Sequence, residues 1–193
     1  MRSRSDDPVA AALNVAARQV IDDIRALSVA NPVVLIDGRS GAGKSSLAAR
    51  VAERWPLAGR VQVVALDSLY PGWDGLDDGV RRAEEWILRP HGRGLIGTWR
   101  RWDWTAGEEA ESHAVDPALG VIIEGSGVFT AATARLADVR VWVEAPEPVR
   151  RRRALDRDGE TYRPHWERWA AQEARHIERD DPRSAATRIV GIP

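Results

Sequence analysis

Cysteine is absent from the chain of 193 residues, which excludes a disulfide framework, a thiolate metal site and a cysteine nucleophile, and leads us to expect a cytoplasmic protein. An excess of either charge is also missing. Lys plus Arg number 28 against 29 Asp plus Glu, so no global positive field argues for nucleic acid and basic clusters have to be judged locally. No run approaches the ~20 apolar residues of a membrane span, and the start from Met1 to Pro8 is polar and acidic where a secretory signal turns apolar. Neither export nor membrane insertion is expected. His91, His113, His165 and His176 lack the spacing of metal ligands. With no internal repeat, low-complexity tract or linker, the length suits one domain over 1–193.

What the chain does have is the pattern G-x-x-x-x-G-K-[ST], spelled Gly38-Arg39-Ser40-Gly41-Ala42-Gly43-Lys44-Ser45 and followed by Ser46. The apolar run Val33 to Ile36 before it predicts a buried parallel strand, and Leu47 to Ala52 after it predicts a helix. In that context the glycines let the backbone aim its N–H groups at phosphate oxygens. Lys44 adds a point charge, Ser45 offers Mg²⁺ a hydroxyl, and the helix N-terminus favours the anion. A nucleoside triphosphate is the expected ligand, with residues 38 to 46 as its cradle.

Elsewhere the pattern alternates. Val9, Leu13, Ala16, Val20, Ile24 and Leu27 predict a leading amphipathic helix within 1–31, stopped by Asn31-Pro32. Further strands are expected at 61–66, 121–123, 139–143 and 187–190, with helical segments between them, which describes a parallel α/β sheet. The turn-rich stretch from Pro71 to Gly79, leading into a helix from Arg81 to Leu88, suits a cover over the strand ends.

Several side chains are candidates for chemistry. Glu124 ends an apolar strand, where a carboxylate can hold Mg²⁺ or merely meet solvent. Asp67 opens Asp67-Ser68-Leu69-Tyr70 at the mouth of the second strand, placed either to accept the proton of an acceptor hydroxyl or to open a turn. Arg150 to Arg153, with Arg157 and Arg163, can stabilise a transferring phosphoryl group. Neighbours on a helix lie about 100° apart, so only one or two reach a common ligand, and the interleaved Asp156, Asp158 and Glu160 argue against a nucleic-acid patch. Trp102-Asp103-Trp104 supports two readings, a stacking platform around a sugar-binding carboxylate or core residues around a satisfied aspartate. Trp166, Trp169, Glu173 and Ile177 share helical spacing and are taken as a packing face.

The P-loop at 38 to 45, the Asp67 to Tyr70 segment, Trp102-Asp103-Trp104, the Ile122-Ile123-Glu124-Gly125 strand end and the arginines from Arg150 occur in an order that resembles the uridine kinase and phosphoribulokinase branch of P-loop kinases. The resemblance implies a three-layer α/β fold with a five-stranded parallel core, an arginine-rich lid at about 146–165, ATP with Mg²⁺, and transfer of the γ-phosphate to a sugar hydroxyl. By it Asp67 matches the catalytic aspartate, Tyr70, Trp102 and Asp103 lie near the acceptor, and Arg153 and Arg157 are the lid arginines. Gly107 and Glu109 stand where uridine kinases tend to have a histidine and an arginine, so the usual pyrimidine-reading groups are missing. The expectation is an ATP-dependent kinase of a nucleoside-like or sugar-like small molecule, with no nucleic-acid or membrane partner and the oligomeric state open. Two rivals remain: a nucleoside monophosphate kinase using Arg81, Arg82, Arg89 and Arg93, and a nucleotide-binding regulatory module without a small acceptor.

Overall fold

The apolar run after Pro32 becomes the central strand of the sheet. In a computed structural model, which describes residues 7–193, β1 (Val33–Asp37) is buried along its whole length. It lies between β5 (Val121–Glu124) and β6 (Val139–Glu144), with β2 (Gln62–Ala65) and β7 (Arg188–Gly191) at the edges, in the order β2-β5-β1-β6-β7. All four pairings are parallel, and Val34 sits level with Ile122 on one side and Val139 on the other. The expected five-stranded parallel α/β sheet is thus present. The polar start from Met1 to Asp6 lies outside the described residues.

Side chains alternate across a strand, so β1 feeds two cores. Val34 and Ile36 meet α1 (Pro8–Arg25) and α2 (Lys44–Glu53), whereas Val33 and Leu35 face the layer containing α3 (Leu76–Ala83) and α7 (Trp166–Asp180). The leading helix buries Leu13, Ala16, Ala17, Val20, Ile21 and Ile24, and Asp7 caps it by accepting from Val9 N–H at 3.0 Å. Among the described residues no helix is long and apolar enough to cross a membrane.

Two segments differ from the sequence reading. The helix expected from Arg81 to Leu88 begins earlier, as α3, and passes through a π-helical turn, Glu84–Leu88, into α4 (Arg89–Gly92). The Arg89 N–H reaches the Glu84 carbonyl five residues back, immediately before Pro90, which has no N–H to give. Next comes an antiparallel hairpin that periodicity did not reveal, β3 (Gly97–Asp103) and β4 (Glu108–Val115). Its apolar face is short, Trp99 and Val115 reaching the core, and cross-strand pairs supplement it: Arg101 bridges Glu111 at 2.6 Å, and Trp99 stacks on His113 with ring centroids 4.5 Å apart.

After β6, Ala145 and Pro146 lead into α6 (Glu147–Tyr162), whose helical path breaks at Gly159 with φ 57° and ψ −135°. Essentially only glycine adopts that backbone. The remaining short helices are α5 (Ala131–Ala134) and α8 (Pro182–Ala185), the latter leading into β7.

Tyr70, 1% exposed, packs its ring against Gly79 on α3, where an added Cβ would overlap the ring. Gly79→Ala should therefore lower stability in denaturant unfolding by about 1–3 kcal/mol through overpacking, although alanine is the better helix former by about 1 kcal/mol. Equal or higher stability would contradict this packing.

Candidate functional site

The carboxyl ends of β1, β5 and β2 open into one crevice, the place where parallel sheets present ligand-binding loops. Between β1 and α2 the loop turns through Gly41 at φ 77°, with its Cα pressed against the Arg150 carbonyl so closely that a side chain would overlap it. Gly43 caps α2 in the left-handed region, and Ala42 is buried in the core beneath. Lys44, the only lysine of the chain, is 8% exposed and donates to the Arg39 carbonyl at 3.3 Å and to Ser126 Oγ at 3.2 Å. Ser40, Gly41, Lys44 and Ser45 face the cleft; Gly38, Arg39 and Ser46 lie outside its wall.

Behind the loop lies a layer of buried polar groups. Asp37, 1% exposed, accepts from the N–H groups of Gly38 (2.6 Å), Gly127 (2.9 Å) and Phe129 (2.8 Å), so one carboxylate joins the start of the loop to the segment after β5. His176 of α7 approaches it through Nε2 at 3.2 Å and holds Asp180 through Nδ1 at 2.9 Å. One turn earlier Glu173, 2% exposed, accepts from Ser40 N–H at 2.6 Å, Ser126 Oγ at 2.9 Å and Arg39 Nε at 3.2 Å. A buried carboxylate is costly unless paired and hydrogen-bonded, and both of these are.

The cleft in front of the loop holds about 590 Å³. Its floor is Tyr70, whose hydroxyl donates to the Ser126 carbonyl at 2.7 Å, and burial with the nearby Asp67 raises that hydroxyl's pKa well above the ordinary phenol. Glu124, 6% exposed, stands at the end of β5 beside Lys44 and Ser45; burial pushes its carboxyl up while Lys44 opposes the shift. Asp67 lies on the 3₁₀ turn Leu66–Ser68, and among the described residues its carboxylate has no hydrogen-bond donor or ion-pair partner. The facing wall is aromatic. Trp73 stacks on Tyr162 at 5.4 Å and on His165 at 4.3 Å, meets Trp104 at 4.8 Å, and borders Trp169. Arg157 and Asp158, paired at 2.7 Å, complete the rim from α6.

The structure therefore brings Lys44, Ser45, Asp67, Tyr70, Glu124 and Arg157 together as their positions suggested. It does not bring Trp102, Asp103 or Arg153 to the cleft. A register shift between Arg100 and Trp102 interrupts the alternation of β3. Asp103 then spends its Oδ1 on the turn, accepting from Thr105 and Ala106 N–H at 2.9 and 3.0 Å. Trp104 is the residue that reaches the cleft, donating from Nε1 to the Asp67 carbonyl at 2.8 Å. Arg153 turns to the carbonyl of Pro193, and Arg150 is buried against the carbonyls of Ser40 and Ala145 at 3.2 and 3.1 Å. Of the four successive arginines none lines this cleft.

Sequence reasoning missed Asp37, Ser126, Trp73, Tyr162 and Trp169 as site residues, offered Trp104 only within the Trp102-Asp103-Trp104 stacking reading, and placed Glu173 on a packing face. Adjacency to the loop was the available signal for Asp37, and to Glu124 for Ser126. A second cleft, of about 710 Å³, adjoins the other side of the loop. Arg39 and Arg150 border it together with the exit from β6, Ala145 to Glu147, and the last residues, Gly191 to Pro193.

No protein-family model matches the chain, and no curated protein matches it in sequence. Among solved structures it is similar to a possible uridine kinase from Bacillus stearothermophilus, with TM-score 0.68 and 18% identity over 92% of this chain and 98% of that one. It is also similar to a "putative fructose transport system kinase" from Silicibacter sp. TM1040, with TM-score 0.54 and 16% identity over the same shares. At these identities the likeness establishes the fold, a P-loop kinase fold with a five-stranded parallel sheet flanked by helices.

His176 yields a pH prediction. Burial lowers its pKa, but the hydrogen bond and charge of Asp37, followed by those of Asp180, outweigh burial and leave it raised. A raised folded-state value stabilises fully below the unfolded imidazole pKa of about 6.5, and that stability is lost as pH rises through the higher folded value. The wild type should lose unfolding free energy across this window relative to His176→Gln. Parallel pH profiles for the two proteins would contradict the assignment.

Proposed function

We propose that the chain is a Mg-ATP-dependent kinase that transfers the γ-phosphate to a hydroxyl of an unphosphorylated nucleoside-like or sugar-like molecule. The observation that carries this reading is a single cleft with the glycine-rich loop on one wall and, on the other, among aromatic rings, the Asp67 carboxylate, which has no partner among the described residues. Backbone N–H groups of the loop and the Lys44 ammonium suit the donor phosphates, and Ser45 with Glu124 gives the one-hydroxyl, one-carboxylate set that Mg²⁺ takes alongside phosphate and water. Mg-ATP would supply the electrophilic phosphoryl group. Asp67 then accepts the acceptor hydroxyl's proton as oxygen bonds to phosphorus and ADP leaves, and Lys44 and Arg157 balance the charge on the transferring oxygens. The second cleft, beside Arg39, gives room for the donor's nucleoside on the side of the loop away from the acceptor.

The acceptor side also argues for its chemistry. Trp73, Trp104, Tyr162 and Trp169 offer faces to a sugar ring or a base. Arg81 is paired with Asp78 and Glu85, Arg82 with Glu109 and Arg89 with Glu84, and none of these or Arg93 lines the cleft. A phosphate on the acceptor would lack the cations it needs, which weighs against a monophosphate kinase. Both similar structures are described as kinases, in agreement with this reading.

ADP release measured with pooled nucleosides, monophosphates and sugars tests the proposal. A rise over the no-acceptor control is expected with a pool of unphosphorylated molecules. Asp67→Asn should keep nucleotide binding and lose at least about 100-fold in turnover, the scale of a general base, whereas Lys44→Ala should weaken both. Near-normal turnover by Asp67→Asn would remove the base from the mechanism.

A further inference from the structure

Glu173 sits on α7, 129 residues beyond Lys44 in sequence, yet its carboxylate ends a chain of polar contacts that starts at the Lys44 ammonium. We propose that Glu173 is a positioning residue for the donor triphosphate, setting Lys44 through Ser126 and shaping the loop through Ser40. This rests on the kinase reading and adds to it a residue that touches neither substrate.

The direction of the contacts follows from proton count. Lys44 has protons to give and no lone pair, and Glu173 as a carboxylate has lone pairs and no proton. Ser126 has one proton, so it accepts from Lys44 at 3.2 Å and donates to Glu173 at 2.9 Å. Its alternative acceptor, the Gly38 carbonyl at 3.1 Å, is longer and uncharged. The same Glu173 oxygen takes the Ser40 N–H at 2.6 Å, while the other faces Arg39 Nε at 3.2 Å. Ser40 is held from a further direction, because Tyr162 at the end of α6 donates to its hydroxyl at 3.0 Å. Glu173 is 2% exposed, and Arg39 beside it offsets the negative charge it would otherwise turn toward phosphate.

A carboxylate that served only to bind α7 to the sheet would affect melting and leave nucleotide parameters alone. A positioning role predicts a division instead. Binding of a fluorescent, non-hydrolysable ATP analogue with Mg²⁺ should weaken about tenfold, the equivalent of one charge-assisted hydrogen bond, in Glu173→Ala and in Ser126→Ala. In the ADP-release assay, the acceptor KM should stay within about twofold. Glu173→Gln, whose amide oxygen still accepts from Ser40 and Ser126, should restore affinity to within about threefold. The double variant should be no weaker than Glu173→Ala, because the two act in series.

Affinities within twofold of wild type in both alanine variants, or a loss in Glu173→Gln as large as that in Glu173→Ala, would overturn the inference while leaving the kinase reading in place. A wild type that fails to bind the analogue would overturn that reading and this inference with it. Should Glu173→Ala not fold, Ser126→Ala carries the test, since it leaves the contacts of Glu173 with Ser40 and Arg39 intact.

Discussion

The carboxylate of Asp37 is the constraint on which the site depends. A phosphate-binding loop has to leave its strand with its N–H groups turned toward the ligand, and that exposes backbone near a buried strand end. Asp37 meets the need by gathering three N–H groups from two loops, those after β1 and after β5, and it is itself gripped by His176. Because buried charge is tolerated only with full hydrogen bonding, Asp37 fixes both loops at once. Glu124 at the end of β5 and Lys44 at the start of α2 are consequently held on opposite sides of one junction.

Around that junction the two walls of the cleft are built differently. The loop wall is rigid, tied by Asp37, Glu173 and the buried Arg150 guanidinium on the Ser40 carbonyl. The opposite wall is assembled from separate segments: the 3₁₀ turn with Asp67, the Trp73 loop, the tip of the hairpin and the end of α6. Gln172 on α7 links the walls by donating to the Trp73 carbonyl at 2.7 Å, beside Glu173 on the loop side. Such a division suits a fixed donor and a fitted acceptor. On the proposed reading the aromatic wall, and not the loop, would be the element that sets which hydroxyl is presented.

How much of this was legible depended on whether the cause is local. Strands buried on both faces are nearly continuous apolar runs, so β1 and β5 declared themselves as such and β6 did so around a single Arg140. The loop did so through glycines at positive φ beside a lysine. The hairpin was invisible because β4 is largely exposed and its pairing rests on Arg101, Glu111, Trp99 and His113 across the strands. The resemblance pointed to Trp102 and Asp103, but the irregularity after Arg100, which no sequence pattern registers, leaves Trp104 as the residue of that segment at the cleft. Arg153 and Arg157 lie one turn apart on α6, and only the tertiary position of Pro193 shows that Arg153 donates to its carbonyl and not toward the cleft. For Glu173, helical spacing gave the inward face correctly, while its partners lie 133 residues away at Ser40 and 47 at Ser126.

The measurement that bears most directly on the central claim is the fate of the γ-phosphate itself. Mg-ATP with an isotopic label in its γ-phosphate would be incubated with the wild-type protein and a mixture of nucleosides, sugars and their monophosphates, and the products resolved by mass. The account predicts the label as a new phosphate ester on a molecule that began unphosphorylated. Label found only in inorganic phosphate, or only on molecules that were already monophosphates, would contradict it.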